Sequence, residues 1–241
     1  MKKIISIIIT LSMLLASVPA FAISGTGTES NPYLISSASD IAKIHYDLDG
    51  YYKLTNDINM SGVDFEPIGN EIDGAFTGTI DGNGYSIKNL TINLLEEKYV
   101  GLIGYLEGTV KNINLVNVNA NGYRYVGAIS GYNGKDGNIS FCNVTGKISG
   151  EYIIIGTRIG GITGHNDGIV SDCISDSSII CNTFTLNDKY NIGGITGFND
   201  GTVVDCINDS SITCASNISI SGTTYRVGGI TGFNTWRLQL R

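Results

Sequence analysis

Short runs of apolar, mostly β-branched residues alternate with glycine, asparagine and aspartate along most of the chain. Apolar runs broken by turn-forming residues predict short strands joined by turns. One stretch differs: Ser37 to Asp40 has the spacing of a capping box, and Ile41, Ile44 and Leu48 follow at helical spacing. The pattern therefore predicts an all-β chain with one short helix near its N-terminus.

One segment of the sequence is repeated. Residues 159–181 agree with residues 192–214 at 18 of 23 positions, and weaker copies begin at Val100, Val126 and Val227. Repeats of roughly this period are typical of stacked arrays in which each unit packs on its neighbours. A unit of this length holds about three short strands plus corners. The repeats therefore predict a right-handed parallel β-helix, a solenoid with one coil per unit.

Equivalent positions in successive coils lie above each other, about 4.8 Å apart. The alignment of the units thus predicts an apolar column, a cysteine-containing column, an aromatic column and an asparagine column. In that order their members are Val110, Ile139, Val170 and Val203; Ile113, Cys142, Cys173 and Cys206; Tyr105, Tyr132, His165, Phe198 and Phe233; and Asn133, Asn166, Asn199 and Asn234, with Leu106 as the exception in the first coil.

The chain divides into four segments. Residues 1–22 have the basic start, apolar stretch and small-residue cleavage site of a secretory signal peptide. Residues 23–98 form an N-terminal cap and the first coils, in which the helix covers the open end of the solenoid. His45 falls in this helix, where we expect a surface or packed residue.

Residues 99–234 carry the repeats, and residues 235–241 are atypical. The last unit stops after Asn234 where earlier units continue with a turn, a valine and a cysteine. We expect a truncated version of a longer product, and we expect exposed terminal coils to favour end-to-end self-association.

The repeats resemble a known family. Gly101-Leu-Ile-Gly104 matches the GLUG motif, and the later Gly-Gly-Ile-Thr-Gly units are its variants. The segment from Ser24 to Gly84, with its Ile-Asp-Gly-Asn-Gly sequence, is similar to the part that precedes such repeats. The resemblance covers about residues 24–234. It implies a secreted or surface-attached bacterial protein of adhesin-like type, some members carrying a metallopeptidase elsewhere, and it implies no catalysis by the repeats.

Composition narrows the function classes. The net charge of −7 argues against nucleic acid and anionic membranes as partners. Beyond the predicted signal peptide, no apolar stretch reaches the length of a membrane span. Both features suit a secreted or cell-surface protein.

The five cysteines fall in two columns, with Cys142, Cys173 and Cys206 in one and Cys181 and Cys214 in the other. Ile113 occupies the first column and Gly150 the second, which indicates interior packing positions. We expect unpaired thiols, although the spacing between coils also allows disulfides. No Cys-x-x-Cys pair or His-Glu-x-x-His sequence occurs, and we expect no metal site and no cofactor.

Stacked aspartates offer an alternative. Three pairs share columns: Asp172 with Asp205, Asp176 with Asp209, and Asp167 with Asp200. Paired carboxylates can act as acid and base on a glycosidic bond. However, copying a repeat unit produces the same spacing, aspartate is common in turns, and the columns bring no basic residue to the aspartates.

Two function classes therefore remain. The first is a non-enzymatic, adhesin-like scaffold or stalk segment that binds extracellular glycans or host or cell-surface proteins. The second is a polysaccharide lyase or hydrolase that uses the stacked aspartates, most convincingly if Asp172 and Asp205 lie beside Arg158 or Lys189. We expect the scaffold, with no catalytic residues.

Overall fold

The computed structural model describes residues 23–150, 156–183, 189–216 and 224–235. In these residues the chain winds as a parallel β-solenoid through four sheets around one apolar core. This confirms the all-β solenoid predicted from the repeats. The predicted signal peptide and residues 236–241 lie outside the described residues.

Two sheets, here called A and B, begin near the N-terminus and extend through all the coils. Sheet A contains β1 (Tyr33–Ile35), β2 (Tyr51–Leu54), β4 (Thr79–Asp81), β9 (Thr109–Lys111), β13 (Asn138–Ser140), β17 (Ile169–Ser171) and β21 (Thr202–Val204). Sheet B contains β3 (Ile58–Asn59), β5 (Ser86–Lys88), β6 (Thr91–Leu94), β10 (Asn114–Gly122), β14 (Asn143–Gly150), β18 (Ile174–Thr183), β22 (Ile207–Asn208) and β23 (Ser211–Ser216).

The other two sheets, C and D, have five strands each and coincide with the repeats. Sheet C contains β7 (Tyr99–Val100), β11 (Tyr125–Val126), β15 (Arg158–Gly160), β19 (Lys189–Gly193) and β24 (Thr224–Gly228). Sheet D contains β8 (Ile103–Leu106), β12 (Ser130–Asn133), β16 (Thr163–Asn166), β20 (Thr196–Asn199) and β25 (Thr231–Asn234).

Each full coil therefore visits sheets C, D, A and B in turn, so the prediction of three strands per unit is wrong. The Gly-Gly pair of the repeat is the reason. Gly160 ends β15, the chain turns at Gly161, and β16 begins in a different sheet at Thr163. What reads as one extended run in the sequence is thus two short strands.

The predicted columns are confirmed by the strand register. Val110, Ile139, Val170 and Val203 are direct neighbours in sheet A, and the first three are fully buried. In the first coils, Ile80, Ile87, Leu90 and Ile92 lie in the same core. Coils before and after residue 98 pack into one continuous solenoid, and the division into segments at that residue stays a prediction.

The short helix is confirmed. Helix α1 spans Ala38–Lys43 and continues as a 3₁₀ turn over Ile44–Tyr46, so Leu48 lies beyond its end. The hydroxyl of Ser37 accepts a hydrogen bond from the Asp40 backbone N–H at 3.3 Å, as an N-cap should. Ile41 and Ile44 are buried in the core at its N-terminal end, whereas His45 is exposed.

The side chain of Asp40 links the residues at the start of helix α1. Its carboxylate accepts hydrogen bonds from the Ser36 N–H and the Ser37 hydroxyl and pairs with Lys43 at 3.0 Å. Burial opposes ionisation of Asp40, but the bonds from Lys43, Ser37 and Ser36 outweigh it and lower the pKa to about 2.

Within the described residues, no helix is long and apolar enough to cross a membrane.

Candidate functional site

Glycines bring sheets C and D into close contact. A Cβ added at Gly160 would lie 2.1 Å from the Thr163 carbonyl oxygen, and one at Gly164 would lie 2.5 Å from the Val126 backbone nitrogen. Only glycine permits such an approach of two backbones. Because the repeat preserves these glycines, the outward-facing side chains of sheets C and D stand next to each other in every coil.

These side chains form a continuous surface, which we call the aromatic strip. Its rings in sheet D are neighbours in register and contact one another, with centroids 4.9 Å apart for Tyr105 and Tyr132, 4.7 Å for Tyr132 and His165, and 4.8 Å for His165 and Phe198. The strip consists of Tyr99, Tyr105, Tyr125, Tyr132, His165, Phe198 and Phe233, together with Lys98, Arg124, Arg158 and Arg226.

The rings of sheet C lean against those of sheet D. Tyr99 stacks on Tyr125 at 5.4 Å and lies 5.9 Å from Tyr105. Tyr125 also contacts His165 at 5.6 Å. Tyr125 and His165 are therefore almost buried, while Tyr99, Tyr105 and Tyr132 keep part of their surface open to solvent.

The three arginines within the described residues all lie on this strip. The guanidinium of Arg158 lies 4.0 Å from the ring centroid of Phe198 and 5.0 Å from that of Tyr125. Arg124 lies over Tyr125 at 5.1 Å, and Arg226 over Phe233 at 4.1 Å. Such cation–π contacts hold the guanidiniums over the rings.

At the centre of the strip, a histidine joins an arginine to an aspartate. Nη1 of Arg158 contacts Nδ1 of His165, and Nε2 of His165 lies 2.7 Å from Oδ1 of Asp167. Burial, reinforced by the neighbouring positive charge of Arg158, lowers the pKa of His165 to about 4 despite Asp167. The imidazole is therefore neutral at pH 7, with Nδ1 accepting from Arg158.

The tyrosine hydroxyls donate to nearby carboxylates. Tyr105 donates to Glu107 Oε1 at 2.8 Å, Tyr132 donates to Asp167 Oδ2, and Tyr99 donates to Glu71. Burial and the hydrogen bond to Glu107 raise the pKa of Tyr105 to about 12, so its phenol stays protonated. These bonds fix the orientation of the rings.

A pocket adjoins the N-terminal end of the strip. It has a volume of about 320 Å³ and is lined in part by His45, Glu66, Asp73, Lys98 and Tyr99. This is the lower end of the size range of small-ligand pockets. The strip and pocket together form one extended, partly open surface along the solenoid.

The aspartates singled out in the sequence behave differently from one another. Asp172 and Asp205 occupy the corner between sheets A and B with φ of 53° and 51°, a backbone conformation that aspartate tolerates. Arg158 and Lys189 belong to sheet C, away from that corner. Asp172 and Asp205 therefore act as turn residues, as aspartate in such sequences commonly does.

Asp167 corrects the sequence analysis, which found no basic residue beside the stacked aspartates. It lies near His165 and Arg158, its Oδ2 accepts from the Tyr132 hydroxyl, and its Oδ1 lies 2.7 Å from Nε2 of His165 without a hydrogen-bond donor. Asp176 and Asp209 are exposed on the side of sheet B. The lyase alternative gains no support from these positions.

The cysteine columns form as predicted. Cys181 is paired in register with Gly150 on one side and Cys214 on the other. All five cysteines are free thiols; Cys142, Cys173 and Cys181 are buried, Cys206 is half-buried and Cys214 is exposed. Within the described residues, no three His, Cys, Asp or Glu side chains come together as a metal-ligand group.

Sequence reasoning found the aromatic column of sheet D but missed its partner column in sheet C. A signal was present: Lys98-Tyr99, Arg124-Tyr125, Arg158 and Arg226 each come directly before the Val-Gly or Ile-Gly of a repeat. Alignment of the repeats from that valine or isoleucine onward leaves outside the unit the register position shared by Tyr99, Tyr125, Arg158 and Arg226.

Comparison with known proteins adds a family. The sequence profile described as M26 IgA1-specific Metallo-endopeptidase N-terminal region matches residues 20–146, more than half of the 241 residues. Among solved structures, a candidate immunoglobulin A1 protease from Bacteroides ovatus is similar over 88% of this chain and 86% of its own, with a TM-score of 0.52 and 20% identity. A structure of an IgA1 protease is similar over 81% of this chain and 15% of its own, with a TM-score of 0.54 and 21% identity. At these identities the structures show the same fold.

Two curated proteins match part of the chain. Halomucin of Haloquadratum walsbyi is 46% identical over 90 residues, which are 33% of this chain and 1% of halomucin. A candidate Gly-rich membrane protein of Evansella cellulosilytica is 38% identical over 90 residues, 34% of this chain and 10% of that protein. The chain thus spans a small part of the curated relatives it matches.

Proposed function

This chain belongs to the family of the M26 IgA1-specific Metallo-endopeptidase N-terminal region, and we propose that it is a non-enzymatic, adhesin-like β-solenoid that binds extracellular partners through its aromatic strip. The observation that carries the proposal is the strip itself: a column of aromatic rings along five coils, with tyrosines in the first two coils and guanidiniums packed against the rings. Tyrosine and arginine are the residues that dominate binding energy at recognition surfaces.

The proposed location is the bacterial cell surface or the medium. The names of the two partial relatives, halomucin and a Gly-rich membrane protein, support a surface setting, as does the predicted signal peptide. Membership of the GLUG repeat family is part of the same proposal and rests on Gly101-Leu-Ile-Gly104 and its later variants.

The proposed partners are extracellular glycans or host and cell-surface proteins. The test immobilises mucin on one surface and IgA1, the protein in the family's name, on another, and measures retention of the full chain. We expect retention on at least one of them. Replacing Tyr105 and Tyr132 together by Ser should reduce retention by roughly tenfold or more, because two ring surfaces are lost from the contact.

A matched control replaces two outward-facing asparagines of sheet B, Asn114 and Asn143, by Ser. These form an exposed hydrogen bond of 2.8 Å away from the strip, so retention should not change. Equal retention of both double variants would refute the strip as the binding surface.

The absence of catalysis is also proposed and needs its own assay. The full chain is incubated with IgA1, with mucin and with acidic polysaccharides, and the products are followed by electrophoresis and mass spectrometry. We expect all three to remain intact. Cleavage of any of them that is lost on Asp167→Asn substitution would overturn the proposal.

End-to-end self-association is a further part of the proposal. Strands β24 and β25 each pair with one neighbour within the described residues, and an open strand edge accepts another strand. Light scattering at rising concentration should show a growing average mass. A constant monomer mass would contradict it.

A further inference from the structure

We infer that the aromatic strip binds an extended polysaccharide that carries carboxylate groups, such as a chain containing uronic acids. This inference rests on the proposed function and names its ligand class. It comes from three features of the strip: arginines that no carboxylate pairs with directly, the repeat distance of its rings, and a buried polar atom without a hydrogen-bond partner.

The arginines are the first feature. In the part of the chain that the structure describes, Lys43, Lys88 and Lys98 pair with carboxylates, and no arginine does. The guanidiniums of Arg124, Arg158 and Arg226 are held against rings, with no carboxylate paired to them. In a chain with a net charge of −7, three guanidiniums on one surface are complementary to a carboxylate; of the three, Arg158 already contacts His165, which lies beside Asp167. Guanidinium binds carboxylates through paired N–H donors.

The repeat distance is the second feature. The aromatic rungs follow the coil spacing of about 4.8 Å, and their ring centroids are 4.7–5.1 Å apart from Tyr105 to Phe233. One pyranose ring is about as long as one such step, so consecutive sugars can meet consecutive rungs. An extended peptide places side chains on one face only every ~6.6 Å, twice its rise per residue. The side chains of a bound peptide would therefore not match the spacing of the rings.

A peptide also finds no open strand edge along the strip. Peptides commonly bind by adding a strand to an open sheet edge. Strands β12 and β16 of sheet D each pair on both sides with other coils, and so do β11 and β15 of sheet C. What the strip offers is ring faces, guanidiniums and carboxylates, which suit the C–H faces and hydroxyls of sugars.

The third feature is Asn191. It lies in the sheet C column between Arg158 and Arg226 and is 4% exposed, and its Oδ1 has no hydrogen-bond donor. A buried carbonyl oxygen without a donor is costly. A sugar hydroxyl entering between the two arginines would supply one.

The test uses the full chain with tetragalacturonate, its methyl ester and monomeric galacturonate, compared by isothermal titration calorimetry. The measurement is made at about 0.15 M salt, where the Debye length of about 8 Å screens the net negative charge of the protein. We expect tetragalacturonate to bind at least ~10-fold more tightly than the methyl ester, because esterification removes the charge that the arginines recognise. The monomer should bind more weakly than the tetramer.

Three variants locate the binding. Arg124→Gln and Arg158→Gln should each weaken tetragalacturonate binding by roughly tenfold and narrow its advantage over the ester. Arg124 is the safer substitution, since Arg158 also contacts His165. Lys147→Gln is the control, because Lys147 is an exposed cation on sheet B. It should bind like the unmodified chain, and thermal melts should show that all three variants fold.

The outcomes separate the inference from the proposed function. Equal binding of acid and ester, with both weakened by the arginine variants, would overturn the carboxylate preference and leave the strip as a binding surface. Tetragalacturonate binding that survives both arginine substitutions would overturn the inferred site. No binding of any galacturonate would overturn the inference, while the mucin and IgA1 retention assay would still decide the proposed function.

Discussion

Asn133 donates a hydrogen bond from its Nδ2 to Oδ1 of Asn166, one coil further along, at 2.7 Å. Asn166 repeats the contact to Asn199 at 2.7 Å, and Asn199 donates to Asn234 at 3.0 Å. The first three asparagines are buried. Because Leu106 takes this position in the coil before, Oδ1 of Asn133 has no donor. The asparagine column thus begins with one side-chain oxygen that has no donor. In each later coil, the asparagine oxygen accepts a hydrogen bond from the asparagine of the coil before.

Replacing Asn166 by Ala should lower the free energy of unfolding by roughly 2–4 kcal/mol. The substitution leaves the Asn199 side-chain oxygen without a donor and removes one acceptor of the Asn133 amide, which keeps its bonds to two backbone carbonyls. An unsatisfied buried group costs about 1–3 kcal/mol, and the lost hydrogen bonds add to this cost. Urea unfolding followed by circular dichroism measures the change. The control is Asn143→Ala in the exposed asparagine pair of sheet B, which we expect to stay within about 0.5 kcal/mol. Equal effects of the two substitutions would refute the role of the buried asparagine column.

The pKa of His165, about 4 against an ordinary value of 6.5, predicts a stability loss in acid. Between these values the unfolded chain binds a proton that the folded chain excludes, so stability falls as the pH drops from 6.5 to 4. We expect a loss of roughly 2–3 kcal/mol from this residue, measured as urea unfolding at half-unit pH steps.

His165→Phe places in this coil the residue that the next coil has at Phe198. It should flatten the slope between pH 6.5 and 4. Asp40, whose pKa falls from 3.8 to about 2 on folding, also loses stabilising free energy from about pH 5 downward. It does so equally in both chains, so the difference between their slopes reports His165. An unchanged slope in the variant would assign the acid sensitivity to another group.

Phe141 occupies a backbone position that suits Asn or Asp. It has φ of 53° at the corner between sheets A and B, where the other coils have Asn112, Asp172 and Asp205, and its side chain is 59% exposed. A bulky residue is strained in this left-handed conformation. Phe141→Asn should therefore raise the free energy of unfolding by about 0.5–1 kcal/mol, read from the thermal melt. A lower melting temperature would show that the ring stabilises the corner.

The paired thiols Cys181 and Cys214 should differ in reactivity. A hydrogen bond to Cys214 and burial raise the pKa of Cys181, while the same contact lowers the pKa of Cys214, which is exposed. The thiolate is the reactive form, so iodoacetamide at pH 7.5 should label Cys214 first and Cys181 only on unfolding. Peptide mass spectrometry after timed quenching reads the order, with denatured chain as the control. Labelling of Cys181 at the same rate in the folded chain would contradict the buried column.

Much of the fold followed from the sequence alone. Repetition of the unit determined that coils stack, and stacking places equivalent residues in register. The valine, cysteine, aromatic and asparagine columns could therefore be derived by alignment. The helix start at Ser37 followed from a local hydrogen-bond pattern. Each of these features depends on neighbours at fixed sequence offsets.

The candidate site depended on tertiary structure. Arg158 meets His165 and Phe198 only because Gly160 and Gly164 let the backbones of sheets C and D approach within contact. The sequence shows the glycines and the arginines but not the angle at which the two strands meet. That angle results from the packing of two sheets, which no single repeat unit specifies. It decides that the column of rings in sheet D and the column of tyrosines and arginines in sheet C form one surface.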